Sequence, residues 1–212
     1  MNILCYGDSN TYGYKPGTEG GRYPKAITWP YLLKEKLGNK DDFAVEGLNG
    51  RTTAYDRPDG AWKNGFPYLR PCLVTHSPLD LVIFMLGTND CNADLYLSAE
   101  DIAAGMEKLI NETENTTAEL EKPMPAMMIV VPAPIRPEIK GTPFEYQLDA
   151  SSVEKSNEIA PLYKAIAEKH NCLFVGDTST VEVSSIDCEH LTEKGHRQLA
   201  DLIYSEIIAH NF

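Results

Sequence analysis

Leu81-Val82-Ile83-Phe84-Met85-Leu86-Gly87-Thr88-Asn89-Asp90 is a continuous apolar run that breaks abruptly into small and polar residues. The run is preceded by the turn-like Pro78-Leu79-Asp80 and shows no apolar/polar alternation. It therefore reads as a strand buried on both faces, the pattern of a central strand in a parallel sheet. Working outward, Ile3 to Gly7, Phe43 to Val45, Ala126 to Val131 and Cys172 to Val175 are further strand-like runs. Between them lie helical patterns over 28–37, 68–76, 98–114 and 151–169, with another over 192–209. Thr28 caps the first and Pro30 falls in its first turn, while Ser98 and Asp101 have the spacing of a capping box. Alternating strands and helices predict an α/β fold, a three-layer α/β/α sandwich. Right-handed crossovers favour a flavodoxin-like five-stranded parallel sheet of order 2-1-3-4-5. At 212 residues, without internal repeat or linker, the chain is expected to form a single domain over 1–212.

In such a sheet every strand-to-helix loop opens on the same edge, where ligands bind. Four of these loops carry residues suited to acyl transfer. Gly7-Asp8-Ser9-Asn10 follows the first strand, Leu48-Asn49-Gly50-Arg51 the second, and Gly87-Thr88-Asn89-Asp90 the third. Asp187-Cys188-Glu189-His190 follows the fifth. A serine nucleophile needs a base, a group to orient that base, and donors for the developing oxyanion. Ser9 offers the hydroxyl, His190 the base, and Asp187 a carboxylate able to orient the imidazole from the same turn. Taken singly, each has a bland reading: Ser9 as a helix cap, His190 as a capping or surface histidine, Asn89 as a turn residue, Gly50 as a loop glycine with positive φ. Their convergence on one sheet edge favours the functional reading.

These four blocks resemble those of the SGNH hydrolases, or GDSL-type esterases. Asn10 stands where many members have leucine. The blocks span residues 7 to 190, and the stretches Ile3-Leu4-Cys5, Glu46-Gly47-Leu48 and Arg51-Thr52-Thr53 are most like those of bacterial arylesterases and acyltransferases. Tyr12 and Tyr14 depart from these relatives, which often carry tryptophan there. The resemblance implies a serine esterase that hydrolyses, and is able to transfer, short acyl groups of small-molecule esters through an acyl-enzyme on Ser9. It assigns Ser9, Asp187 and His190 to the triad, and Ser9, Gly50 and Asn89 to the oxyanion hole. A carbohydrate O-acetylesterase would use the same residues, and a catalytically silent binding module would keep the fold alone.

Composition narrows the partners. Thirty-one acidic against nineteen basic residues give a net charge of −12, against nucleic acid and against anionic membrane surfaces. No apolar run approaches the length of a membrane span. The start, Met1-Asn2 and then a strand, lacks the features of a secretory signal. Five cysteines without Cys-x-x-Cys spacing read as reduced thiols, so a cytoplasmic location is expected, and a homo-oligomer is allowed. Neither cofactor nor metal is expected. His190 and His196 lie six apart, no His-Glu-x-x-His is present, and the first loop lacks the Gly-x-x-x-x-Gly-Lys of a phosphate loop. Cys188 beside His190 is a rival nucleophile. Two proline-rich segments, 54–71 and 132–148, hold Tyr55, Trp62, Phe66, Tyr68, Phe144 and Tyr146. These aromatics are expected to wall a narrow acyl pocket.

Overall fold

A computed structural model describes residues 1–210. Five strands, β1 (Asn2–Gly7), β2 (Asp42–Gly47), β3 (Leu81–Met85), β4 (Ala126–Val130) and β5 (Leu173–Val175), form one sheet in the order β2-β1-β3-β4-β5. All four pairings are parallel, as expected from the unbroken apolar runs. The helices are α1 (Ser9–Tyr12), α2 (Trp29–Lys36), α3 (Gly65–His76), α4 (Ala99–Glu119), α5 (Ala150–Lys169) and α6 (Glu193–Ala209).

Alternate residues of each strand feed two cores. Leu4, Tyr6, Val82 and Phe84 pack under α3, α4 and α5, whereas Ile3, Cys5, Leu81, Ile83 and Met85 pack under α2 and α6. Trp29, fully buried in the second core, anchors the start of α2. Truncating so large a side chain to alanine would cost about 3–5 kcal/mol.

Three elements differ from the expectation, the first being the helix over 68–76, which begins earlier, at Gly65. The helix over 98–114 runs on to Glu119. Its last turns (Thr113, Glu114, Asn115, Thr116, Thr117) are poor in strong helix formers. Thr113, Thr116 and Thr117 are nevertheless buried, and the Thr113 hydroxyl donates to the Leu109 carbonyl, so packing overrides propensity. The chain after Gly7 also makes a four-residue helix, α1, instead of a simple turn. Asp8 caps it by accepting from the Asn10 amide at 2.9 Å.

Two glycines let α1 fold back over the strand ends. Gly7 and Gly47 are register partners on β1 and β2. A Cβ on Gly7 would lie 2.1 Å from the Thr11 hydroxyl, and one on Gly47 would lie 2.2 Å from the Tyr12 backbone nitrogen. Any larger residue at either position would push α1, and Ser9 with it, off the sheet edge.

Candidate active site

Ser9 sits in the first turn of α1, directly above the carboxyl end of β1, and is buried except for its cleft-facing side. Asp187 and His190 arrive on the loop between β5 and α6. Asn10 fastens the two together: its Oδ1 accepts from the Leu191 amide at 2.9 Å, and its Nδ2 donates to the Glu189 carbonyl at 3.3 Å. A leucine at position 10 would lose both bonds. Asp187 organises its own turn by accepting from the His190 amide at 3.1 Å.

The side chains form one hydrogen-bonded line. His190 Nε2 lies 2.9 Å from Ser9 Oγ, and His190 Nδ1 lies 3.0 Å from Asp187 Oδ2. With Asp187 ionised, Nδ1 carries the hydrogen and donates it, leaving Nε2 free to accept from the Ser9 hydroxyl. All three residues are buried. Burial alone would lower the His190 pKa. The carboxylates of Glu189, Asp187 and Asp8 outweigh it, and the imidazole ends above its ordinary value. Glu189, whose Oε1 is 3.5 Å from Nδ1, was not among the sequence-derived site residues. Its burial raises its own pKa as well. Asp8 is pushed up to about 7, chiefly by burial.

Ser9, Gly50, Asn89 and His190 line one cleft of about 200 Å³. Gly50 has φ +79°, the left-handed region that disfavours residues with a Cβ. The Asn89 amide is held at both ends: Oδ1 accepts from Arg57 at 3.3 Å, and Nδ2 donates to the Arg51 carbonyl at 3.1 Å. The second Nδ2 hydrogen is left for a ligand. Asp90, pushed up to about 6 mainly by burial, accepts from the Thr53 amide at 3.0 Å and from its hydroxyl at 2.5 Å. It thereby ties the β3 loop to the β2 loop. Arg51 reaches the carbonyls of Gly7 and Glu46 and bridges the first two loops. Arg51, Arg57 and Glu189 escaped the sequence reading, because their roles depend on which loops meet.

The cleft walls only partly match the aromatic expectation. Phe144 and Tyr146 line it, together with Tyr14. Tyr14 packs at a tilt of 32° against the imidazole, with ring centroids 4.2 Å apart, and Phe144 lies 5.5 Å from the same ring. Trp62 and Tyr68 instead line a separate cleft beside β2, and Tyr55 reaches away to the Asp101 carbonyl of α4. Phe66 faces neither cleft and is partly exposed. Much of the remaining lining is polar: Arg57, Asp59, Lys63, Asn49 and Gln147. Asp59 pairs with Arg57 at 2.8 Å and with Lys63 at 2.6 Å. The Arg57 bond does most to hold its carboxyl near a pKa of about 2.

Cys188 is buried outside the cleft, and burial pushes its thiol up. His196, the other histidine of the region, points into the core next to Trp29, where its Nδ1 accepts from the Trp29 amide at 3.3 Å. Among the described residues no helix is long and apolar enough to cross a membrane.

A search with protein-family models matches residues 5–198 to the GDSL-like Lipase/Acylhydrolase family. Among solved structures, Est24, a carbohydrate acetylesterase from Sinorhizobium meliloti, is 34% identical, with a TM-score of 0.90 and 98% of each chain covered. The native M. smegmatis aryl esterase is likewise 34% identical, with a TM-score of 0.89 and 98% of each chain covered. A member of the lipolytic protein G-D-S-L family from Veillonella parvula DSM 2008 shares the fold at 18% identity, with a TM-score of 0.69 and 96% of each chain covered. A search of curated proteins gave no match. The class defined by fold and site is an α/β acyl hydrolase with its polar loops on one sheet edge. The chain belongs to the GDSL-like lipase/acylhydrolase family, and it is a carboxylic-ester hydrolase.

Proposed function

We propose that Ser9 is the nucleophile of a two-step acyl transfer carried out by a single domain spanning 1–212. The observation that carries this reading is the line from Ser9 Oγ through His190 to Asp187, at 2.9 and 3.0 Å. His190 Nε2 takes the hydroxyl proton as Oγ attacks the ester carbonyl. Asp187 and Glu189 stabilise the resulting imidazolium. The backbone amides of Ser9 and Gly50 and the free Nδ2 hydrogen of Asn89 receive the oxyanion. Collapse of the tetrahedral intermediate expels the alcohol, which takes its proton from His190 and leaves an ester on Oγ. Water or a second alcohol, deprotonated by His190, then releases the acyl group as an acid or a new ester. The five unpaired thiols support a cytoplasmic site of action.

The small cleft, with Tyr14 and Phe144 in its lining, supports short acyl groups. Each methylene left outside loses about 0.8 kcal/mol of burial, roughly fourfold in rate. Across p-nitrophenyl acetate, butyrate, octanoate and decanoate, kcat/KM should be highest for the first two and fall steeply by octanoate. Equal or rising values at decanoate would refute a narrow acyl site.

The polar lining favours a second reading, in which the alcohol part of the ester is a sugar. Arg57, Asp59, Lys63 and Gln147 offer donors and acceptors matched to hydroxyl groups, and a structural neighbour is a carbohydrate acetylesterase. Lys63→Ala should then lower kcat/KM on an acetylated sugar while sparing p-nitrophenyl acetate. An equal loss on both substrates would remove the sugar reading.

A further inference from the structure

Outside the cleft, three residues of different chemistry converge beside the edge strand β2. Cys72 and His76 are four apart on α3, so both project from one face of that helix. Glu46 comes from the penultimate position of β2. One ligand atom from each lies within 4.8 Å of the other two. His76 Nε2 and Glu46 Oε1 are 2.9 Å apart. The other carboxylate oxygen of Glu46 accepts from the Tyr68 hydroxyl at 3.1 Å, which fixes its orientation.

We propose that Glu46, Cys72 and His76 form a binding site for a divalent zinc-type cation that ties α3 to the edge strand.

The donor set is one sulfur, one nitrogen and one oxygen, the mixture that a borderline-soft ion such as Zn²⁺ takes. Metal–ligand bonds of about 2.0–2.3 Å in a tetrahedron place ligand atoms roughly 3.3–3.8 Å apart. The three side chains reach that spacing with shifts on the order of 1 Å, within rotamer freedom. Charge also closes: a thiolate and a carboxylate neutralise a dication, and His76 ligates neutral. On binding, the Cys72 thiol loses its proton to solvent as the sulfur–metal bond forms. The guanidinium of Arg51 lies nearby but is already engaged by the Gly7 and Glu46 carbonyls and sits over the Tyr6 and Tyr68 rings. Entry is open, because Glu46 and His76 keep 25% and 30% of their side-chain surface exposed, and Glu46 lines the open cleft beside β2. The fourth position falls to water. The alternative is a core thiol beside a histidine–carboxylate ion pair. That arrangement predicts no metal affinity above that of any exposed histidine.

The pattern escaped a search for metal motifs because the third ligand lies on a different element, 26 residues before Cys72. Cys-x-x-x-His alone is too common to signal a site.

Cobalt(II) is the direct probe. Added to the purified protein, one equivalent should produce the visible bands of tetrahedral cobalt and a near-ultraviolet thiolate-to-cobalt charge-transfer band, both bleached by Zn²⁺. Cys72→Ser should abolish the charge-transfer band. His76→Gln and Glu46→Gln should weaken cobalt affinity by about 10–100-fold. Those two variants alter partly exposed side chains, so they decide the matter if Cys72→Ser fails to fold. Ester hydrolysis, carried by the separate cleft, should be unchanged in both, so loss of the site and loss of the esterase are read separately. Absence of the charge-transfer band in the unaltered protein would overturn the proposal, as would its persistence in folded Cys72→Ser or unchanged affinity in His76→Gln and Glu46→Gln.

Discussion

Two histidines six residues apart are both buried, and the protein treats them in opposite ways. His190, on the loop after β5, sits among Asp187, Glu189 and Asp8, and its pKa rises. His196, in the first turns of α6, is enclosed by apolar packing and an edge-on Tyr23 ring, and burial pulls it down to about 3. One imidazole gains affinity for a proton; the other is a neutral acceptor satisfying the first turn of α2. The cap ahead of α6, a role the sequence allowed for His190, is Thr192, whose hydroxyl accepts from the Gly195 amide at 3.0 Å. Burial alone lowers an imidazole's pKa; burial among carboxylates raises it.

The largest expected effect separates the two. Asp187→Asn should cut kcat by a factor on the order of 10³–10⁴ through loss of the counter-charge and of the tautomer it selects, with Tm little changed. His196→Leu should do the reverse. Leaving the Trp29 amide without its acceptor costs about 1–3 kcal/mol, read as a lower Tm, while kcat of the folded fraction stays put. Loss of turnover in His196→Leu at temperatures where it is folded would break the comparison.

Next in size is the oxyanion side. If Asn89 donates mainly in the transition state, Asn89→Ala should lower kcat by about 10²–10³ with little change in KM. An unchanged kcat would leave Asn89 as a turn residue held by Arg57 and Arg51.

The smallest effect sharpens the electrostatic account. His190 must be neutral to act as base, so kcat/KM rises with pH through its pKa, here above the ordinary histidine value. The Glu189 charge contributes to that rise. Glu189→Gln removes it, and the acid limb of the kcat/KM profile should move to lower pH. A limb that stays in place or moves up would show that Glu189 does not act on the imidazole.

The fold was legible because strand runs such as Leu81–Met85 and Ala126–Val130 are apolar throughout, and only a doubly covered parallel sheet accommodates them. Ser9 was legible because it falls just past the end of β1, and Asp187 and His190, 12 and 15 residues beyond Val175, because their spacing lets one turn present both side chains. The cleft walls were not. Trp62 and Tyr68 lie in the same proline-rich segment as Arg57 and Lys63, yet line the separate cleft beside β2. Facing within an irregular loop follows from where it packs, and periodicity carries no record of that. Tyr14 reached the imidazole for the same reason: the fold of loop 13–28, pinned by its Tyr14–Arg22 bridge, decides it.

The central claim is that the hydroxyl of Ser9, and no other group, attacks the substrate. Treatment with a fluorophosphonate followed by peptide mapping tests it most directly. The account predicts one adduct per chain, on Ser9, formed at a rate that follows the His190 titration and absent from Ser9→Ala. An adduct on Cys188 or on a different serine, or none in a protein that still turns over ester, would contradict it.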